Sequence, residues 1–150
     1  MTDPKLPPAP PAPNPALADL SVRLTAIISV FTVVTFLAEP TLDLVYAIFS
    51  AVLFFVGSFI LGLGFWNGIQ RSRVDDVRLA GLLSVDKSFV PAGIRNKLWL
   101  AVIVQIVVTW TFAGLRPITQ QAFGALVPVL GVGFAALWGS RFARFHPRTR

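Results

Sequence analysis

Long apolar blocks alternate with short charged segments along this chain, and four blocks stand out, at residues 20–38, 44–66, 98–115 and 122–138. The second runs 23 residues from Leu44 to Trp66 without a charge. About 20 helical residues cross the ~30 Å of a bilayer's hydrocarbon, so this block is long enough alone. The first is interrupted only by Arg23, whose aliphatic stem lets the guanidinium reach an interface. It lacks the basic start and small-residue cleavage site of a signal peptide and ends Leu37-Ala38-Glu39-Pro40, which makes it an uncleaved helix. The third and fourth are uncharged but only 18 and 17 residues long, so flanking residues must complete them. The pattern predicts an all-α polytopic membrane protein of four transmembrane helices, with a transmembrane domain over 20–141.

Two of the three connections are very short. Residues 39–43 join the first pair of blocks and residues 116–121 the second, with Pro40 and Pro117 at helix boundaries. Links this short predict two antiparallel helical hairpins and leave no room for an outer ligand-binding domain. The third connection, residues 67–97, is the only long one. Its first half, from Arg71 to Leu83, carries apolar residues on both sides of a helical wheel, with Leu79 and Leu83 on the side of Asp75 and Asp76. It reads either as a surface helix touching lipid and protein or as an irregular segment tucked under the bundle. Residues 1–19 form a tail with seven prolines in its first fifteen positions. Proline's fixed φ and missing amide predict a disordered, polyproline-II-rich tail, serving as a docking peptide or as a passive extension. A basic tail follows at 142–150.

Composition agrees with the blocks: 55% of residues are apolar, only 13% are charged and the mean hydropathy is +0.71, where soluble domains carry about 25% charged residues. The net charge of +6 has a topological explanation. Twelve of the thirteen Lys and Arg residues flank the blocks on the side of the long loop and the two ends; Arg116 alone lies on the side of the two short turns. The positive-inside rule then places both termini and the 67–97 loop in the cytoplasm, in a multi-pass protein of the plasma (inner) membrane. The basic residues face anionic membrane lipid, and a nucleic-acid partner loses its support. On the other side, Arg116 is expected near Glu39 or Asp43, the two acids there.

Small residues at four-residue spacing let helices approach closely in lipid. The second block offers Ala47/Ala51, Ser58/Gly62 and Gly64/Gly68, and the fourth offers the ladder Gly131/Ala135/Gly139 beside Ala136/Ser140. Pro128 removes a backbone donor within the fourth block and predicts a kink. Such a helix reads as a packing helix or as a gate. Polar residues inside the blocks are few. Gln105 lies near the middle of the third, and Thr25, Ser29 and Thr32 form one stripe on the first that is able to receive it. A hydrogen bond between them is worth about 0.6–2 kcal/mol and sets helix register. Trp66, Trp99 and Trp138 sit at inner ends, as in an interfacial aromatic belt.

No catalytic, cofactor-binding or metal-binding site is readable. The chain has no cysteine, and its one histidine, His146, stands among arginines without a second ligand. The acids Asp3, Asp19, Glu39, Asp43, Asp75, Asp76 and Asp86 all lie outside the hydrocarbon. Neighbours such as Asp75 and Asp76 point about 100° apart on a helix, a poor geometry for acid–base work. The same absence counts against a small ion-coupled exporter, which needs a membrane-embedded carboxylate. The expected function is that of a non-catalytic accessory or stabilising subunit of a larger inner-membrane assembly, with a permease or transporter subunit as partner. A small stand-alone lipid-handling or passive transporter is the alternative.

Val77-Arg78-Leu79-Ala80-Gly81-Leu82, Leu98-Trp99 leading into Ala101-Val102-Ile103-Val104-Gln105, Arg116-Pro117, Ala122 through Pro128 and Leu137-Trp138-Gly139-Ser140-Arg141 resemble a family of small four-span actinobacterial membrane proteins. The likeness covers roughly residues 70–141. A similar small protein is an accessory subunit of the mycobacterial Mce (mammalian cell entry) lipid transporter. The resemblance implies a membrane partner and lipid traffic, and it carries no functional residue to a position here.

Overall fold

The computed structural model describes residues 13–38 and 42–145. Five α-helices follow one another: α1 (Ala16–Leu37), α2 (Asp43–Arg71), the single turn α3 (Leu79–Leu82), α4 (Ala92–Leu115) and α5 (Pro128–Phe142), the last preceded by a 3-10 segment at Gln120–Leu126. Four of these units are long and apolar enough to cross a membrane, the 3-10 segment and α5 together making the fourth. The prolines of the N-terminal tail up to Pro11, the turn at 39–41 and His146 lie outside the described residues.

The helices outrun their apolar blocks at the end where the long loop lies. α2 continues through Asn67–Arg71 and reaches 29 residues, about 43 Å, so its last turn extends past any hydrocarbon layer. α4 begins at Ala92, because Pro91 has extended ψ and no amide donor to continue a helix upstream. The fourth span solves its short apolar block differently. Pro128 has no N–H to give to the carbonyl of Gly124, so Val127 donates to it instead, at 3.0 Å, and the preceding turns wind as 3-10 helix. The expected kink at Pro128 is therefore a change of helix type, with Pro128 as the first α-helical residue. Wider-rising 3-10 turns also lengthen the span, adding about 14 Å to the ~22 Å of α5.

Antiparallel hairpin partners are not the principal packing pairs. α2 lies mainly on α5 and α1 mainly on α4, while α1 and α2 touch little. Both principal pairs run parallel. Gly57, Gly64 and Arg71 of α2 meet Leu130, Ala136 and Ser140 of α5 in the same order. Asp19, Thr25 and Phe36 of α1 meet Lys97, Gln105 and Phe112 of α4 likewise. α1 reaches α2 near the short turns, where Phe31 packs on Phe49 at 4.5 Å. The fourth span is the central one: 67% of its apolar window is buried, against 22–33% for the others. Trp138, Leu130, Val127 and Ala135 of that span form the core with Leu98 and Ile28.

The long loop is the irregular segment tucked under the bundle. Between the end of α2 and the start of α4 only Leu79–Leu82 is helical, and Leu82, Phe89 and Val90 are buried. Ser84 turns the chain with φ of 57°, donates to the carbonyl of Ala135 at 2.9 Å and accepts from Trp99 Nε1 at 3.2 Å. Its hydroxyl bond to a helix backbone holds it in a conformation that a side chain disfavours.

Candidate functional site

Three features stand out: a buried polar seam, the close α2–α5 contact and the outward face of α2. The seam begins at Gln105, which is buried and donates from Nε2 to Thr25 Oγ1 at 2.8 Å. Thr25 passes its own proton to the carbonyl of Ser21, also at 2.8 Å. Of the three hydroxyl residues on the α1 stripe, Thr25 alone receives the glutamine. Ser29 bonds the Thr25 carbonyl of its own helix. Thr32 bonds the Ile28 carbonyl and meets the hydroxyl of Tyr46 at 3.3 Å. Gln105 Oε1 accepts no bond among the described residues; it lies where α5 has Gly131, and a methyl group there would come within 2.8 Å of it.

A second buried pair went unforeseen. Asp43 opens α2 but is nearly sealed, 9% exposed, and Gln121 Nε2 donates to its Oδ1 at 2.9 Å. Gln121 is fully buried because the 3-10 winding turns it inward; the sequence alone leaves it in an exposed turn. Three residues on, Gly124 meets the Tyr46 hydroxyl, since positions three apart eclipse in a 3-10 helix. Arg116 lies over the Phe36 ring, 4.3 Å from its centroid. Of its two expected partners, Glu39 lies outside the described residues and Asp43 accepts from Gln121.

The packing residues divide. A methyl group on Gly64 would lie 2.8 Å from the Ala136 carbonyl carbon, and one on Gly68 2.8 Å from Leu82 Cδ1. Gly139 faces the Leu82 carbonyl so closely that no side chain fits, and Ala135 is fully buried beside it. Gly62 differs. Among the described residues nothing lies within 4 Å of where its side chain would begin, and its neighbour Ser58 is half-buried. A further close contact, outside the four-residue pairs, is centred on Gly57, where a methyl would lie 2.6 Å from Leu130 Cα. The actual α2 seam is Asp43, Ser50, Gly57, Gly64 and Arg71, spaced by seven, which returns to nearly the same face every two turns.

The loop-side end of the bundle is tied by Arg71. Its guanidinium donates to the carbonyls of Ser140 and Ala143 at 3.0 and 3.2 Å, and to Asp75 Oδ2 at 3.1 Å. Cation and C-terminal carbonyls of α5 complement each other, satisfying acceptors that the helix itself leaves free. Trp138 is no belt residue: it is fully buried and donates to the Asn14 carbonyl at 2.8 Å. Trp66 is the exposed one of the three loop-side tryptophans, and Trp99 is half-buried. Asp86 sits in the loop, its carboxyl held below the ordinary range by the Ser88 N–H at 2.9 Å, then by the Ser88 hydroxyl at 2.8 Å. Among the described residues no three His, Cys, Asp or Glu side chains gather as a metal site.

Fold and seam together define an all-α bundle of four helices, each able by length and composition to cross a membrane. No family model, curated protein or solved structure matches this chain.

Proposed function

We propose that this chain is a non-catalytic, multi-pass subunit that stabilises or completes a larger assembly in the plasma membrane. Both termini and the long loop lie in the cytoplasm on this reading, as the distribution of basic residues directs. The observation that carries it is the outward face of α2. Ser58 and Gly62 form a small-residue notch with open space over Gly62. Phe55, Phe59 and Trp66 stand around it, 70%, 68% and 61% exposed. Small residues on a spanning helix matter where another backbone approaches, and among the described residues none approaches Gly62. The partner is a helix of a permease or transporter subunit. An Mce-type lipid transporter is the assembly implied by the family resemblance.

One observation favours the second reading, a small lipid-handling protein. A lateral apolar groove of about 440 Å³ runs along α1 past Ala26, Ile27, Val30, Phe31 and Val34. One experiment separates the two. Native purification from membranes through a C-terminal tag, followed by mass spectrometry, is expected to recover a permease or ATPase with the wild type. Gly62→Leu is expected to lose that partner while the small protein itself stays folded. Recovery of a lone monodisperse protein that moves lipid between liposomes would favour the transporter and sink the subunit reading.

A further inference from the structure

A groove of about 220 Å³ opens at the loop-side end of α2. Phe65, Ile69 and Ser72 line one wall, at i, i+4 and i+7 of the helix; Val77, Leu79 and Leu82 of the loop line the other. The α2 wall is about 10 Å long, a third of the hydrocarbon thickness; its far end is apolar and its near end is Ser72, whose hydroxyl donates to the Ile69 carbonyl at 2.7 Å. Gly68 forms the floor, with Leu82 against it. Val74 and Leu79, outside the spanning helices, are 70% and 60% exposed, so this part of the loop presents apolar side chains at the depth where headgroups begin.

The charge beside the groove is positive. Arg73 follows Ser72 in sequence and Arg78 stands between Val77 and Leu79, both exposed next to residues that line the groove. Arg73 is exposed and makes no ion pair among the described residues. Arg78 meets Asp76 at 3.4 Å, but both side chains are more than half exposed, a kind of pair that is worth little and yields readily to a stronger anion. Asp75 is already taken by Arg71. An apolar slot whose lining residues are flanked in sequence by two exposed arginines matches one ligand chemistry, an acyl chain carrying an anionic phosphate headgroup.

We propose that this groove binds an anionic phospholipid of the leaflet on the loop side, with an acyl chain between α2 and the loop and the phosphate at Arg73 and Arg78. The inference takes the bilayer from the function proposed above and makes no use of the partner. Its test uses the full chain in nanodiscs holding equal phosphatidylglycerol and phosphatidylcholine, with retained lipid counted by native mass spectrometry after release into detergent. The wild type is expected to retain phosphatidylglycerol preferentially. Arg73→Gln combined with Arg78→Gln is expected to lower that preference by about 25-fold, roughly fivefold for each basic residue removed at a membrane surface. Val77→Phe, which fills the slot without changing charge, is expected to lower total retained lipid. Lys87→Gln combined with Arg144→Gln removes the same charge elsewhere on that end and is expected to leave the preference unchanged. Equal retention of the two lipids by the wild type would overturn the site. So would an equal loss of preference in the Lys87/Arg144 control, which would assign the effect to the overall charge of the loop side.

Discussion

Gln105 and Gln121 each place an amide inside the bundle, and their partners make them unequal. Gln105 bonds a hydroxyl that keeps a second bond of its own to Ser21, so Thr25 stays satisfied if the amide is removed. Gln121 bonds a carboxylate buried at the head of α2. Loss of a hydrogen bond to a charged group costs about 1.5–3 kcal/mol, whereas an interhelical bond between neutral side chains in lipid is worth about 0.6–2. Gln121→Leu is therefore expected to destabilise more than Gln105→Leu in reversible unfolding from mixed micelles. The opposite order would show that Asp43 finds another donor. Asp86 permits a pH test at the same scale. Its carboxyl pKa is lowered, so the order that its bonds to Ser88 give the loop is present above the unfolded value, about 3.9, and is lost as pH falls through the lower folded value. Carbon-13 titration of the Asp86 carboxyl is expected to show that depression, and Ser88→Ala to raise the pKa towards the ordinary range.

Helix by helix, the spans were readable because each is a block of apolar residues, while their partners were not. A soluble helix marks its buried side by an apolar stripe, but here the outward faces are as apolar as the inward ones: Ile27, Val30, Phe55 and Phe59 all point out. Short turns predicted which helices are antiparallel and said nothing of which pack most closely. The distinguishing mark was residue size at seven-residue spacing along Ser50, Gly57 and Gly64, and a four-residue search passed over Gly57. Gln121 was hidden for another reason: its inward direction depends on the 3-10 winding that Pro128 imposes on the turns before it. Gln105 was legible because a lone amide among apolar residues needs a partner and Thr25 stands at the matching height on α1. Gly57 and Gly62 lie on opposite sides of this division. Gly57→Ala is expected to cost about 1–3 kcal/mol or more, since its methyl meets the Leu130 backbone and no side chain is there to yield. Gly62→Ala is expected to change stability of the isolated protein by no more than about 0.5 kcal/mol. Equal effects in the same micelle unfolding assay would contradict the α2–α5 seam.

At the scale of the molecule, the N-terminal segment, the long loop and the end of α5 meet at one end of the bundle. Trp138 holds Asn14, Arg71 holds Ala143, and the Arg144 N–H donates to the Phe89 carbonyl at 3.1 Å. At the other end Asp43 and Gln121 close the core. On the proposed reading a bundle tied in this way crosses a bilayer with chemically distinct sides, because the sequence puts twelve basic residues in the two ends and the long loop and only Arg116 in the short connections. That asymmetry is the basis for the orientation and for the subunit reading, which needs the α2 notch to face lipid and neighbours within the membrane. Site-directed labelling tests it most directly. Single cysteines are introduced at Ser88 and at Thr119 in this cysteine-free chain, and intact cells are treated with a membrane-impermeant maleimide. The account predicts labelling of Thr119→Cys from outside, and of Ser88→Cys only after the membrane is opened. External labelling of Ser88→Cys, with Thr119→Cys protected, would contradict it.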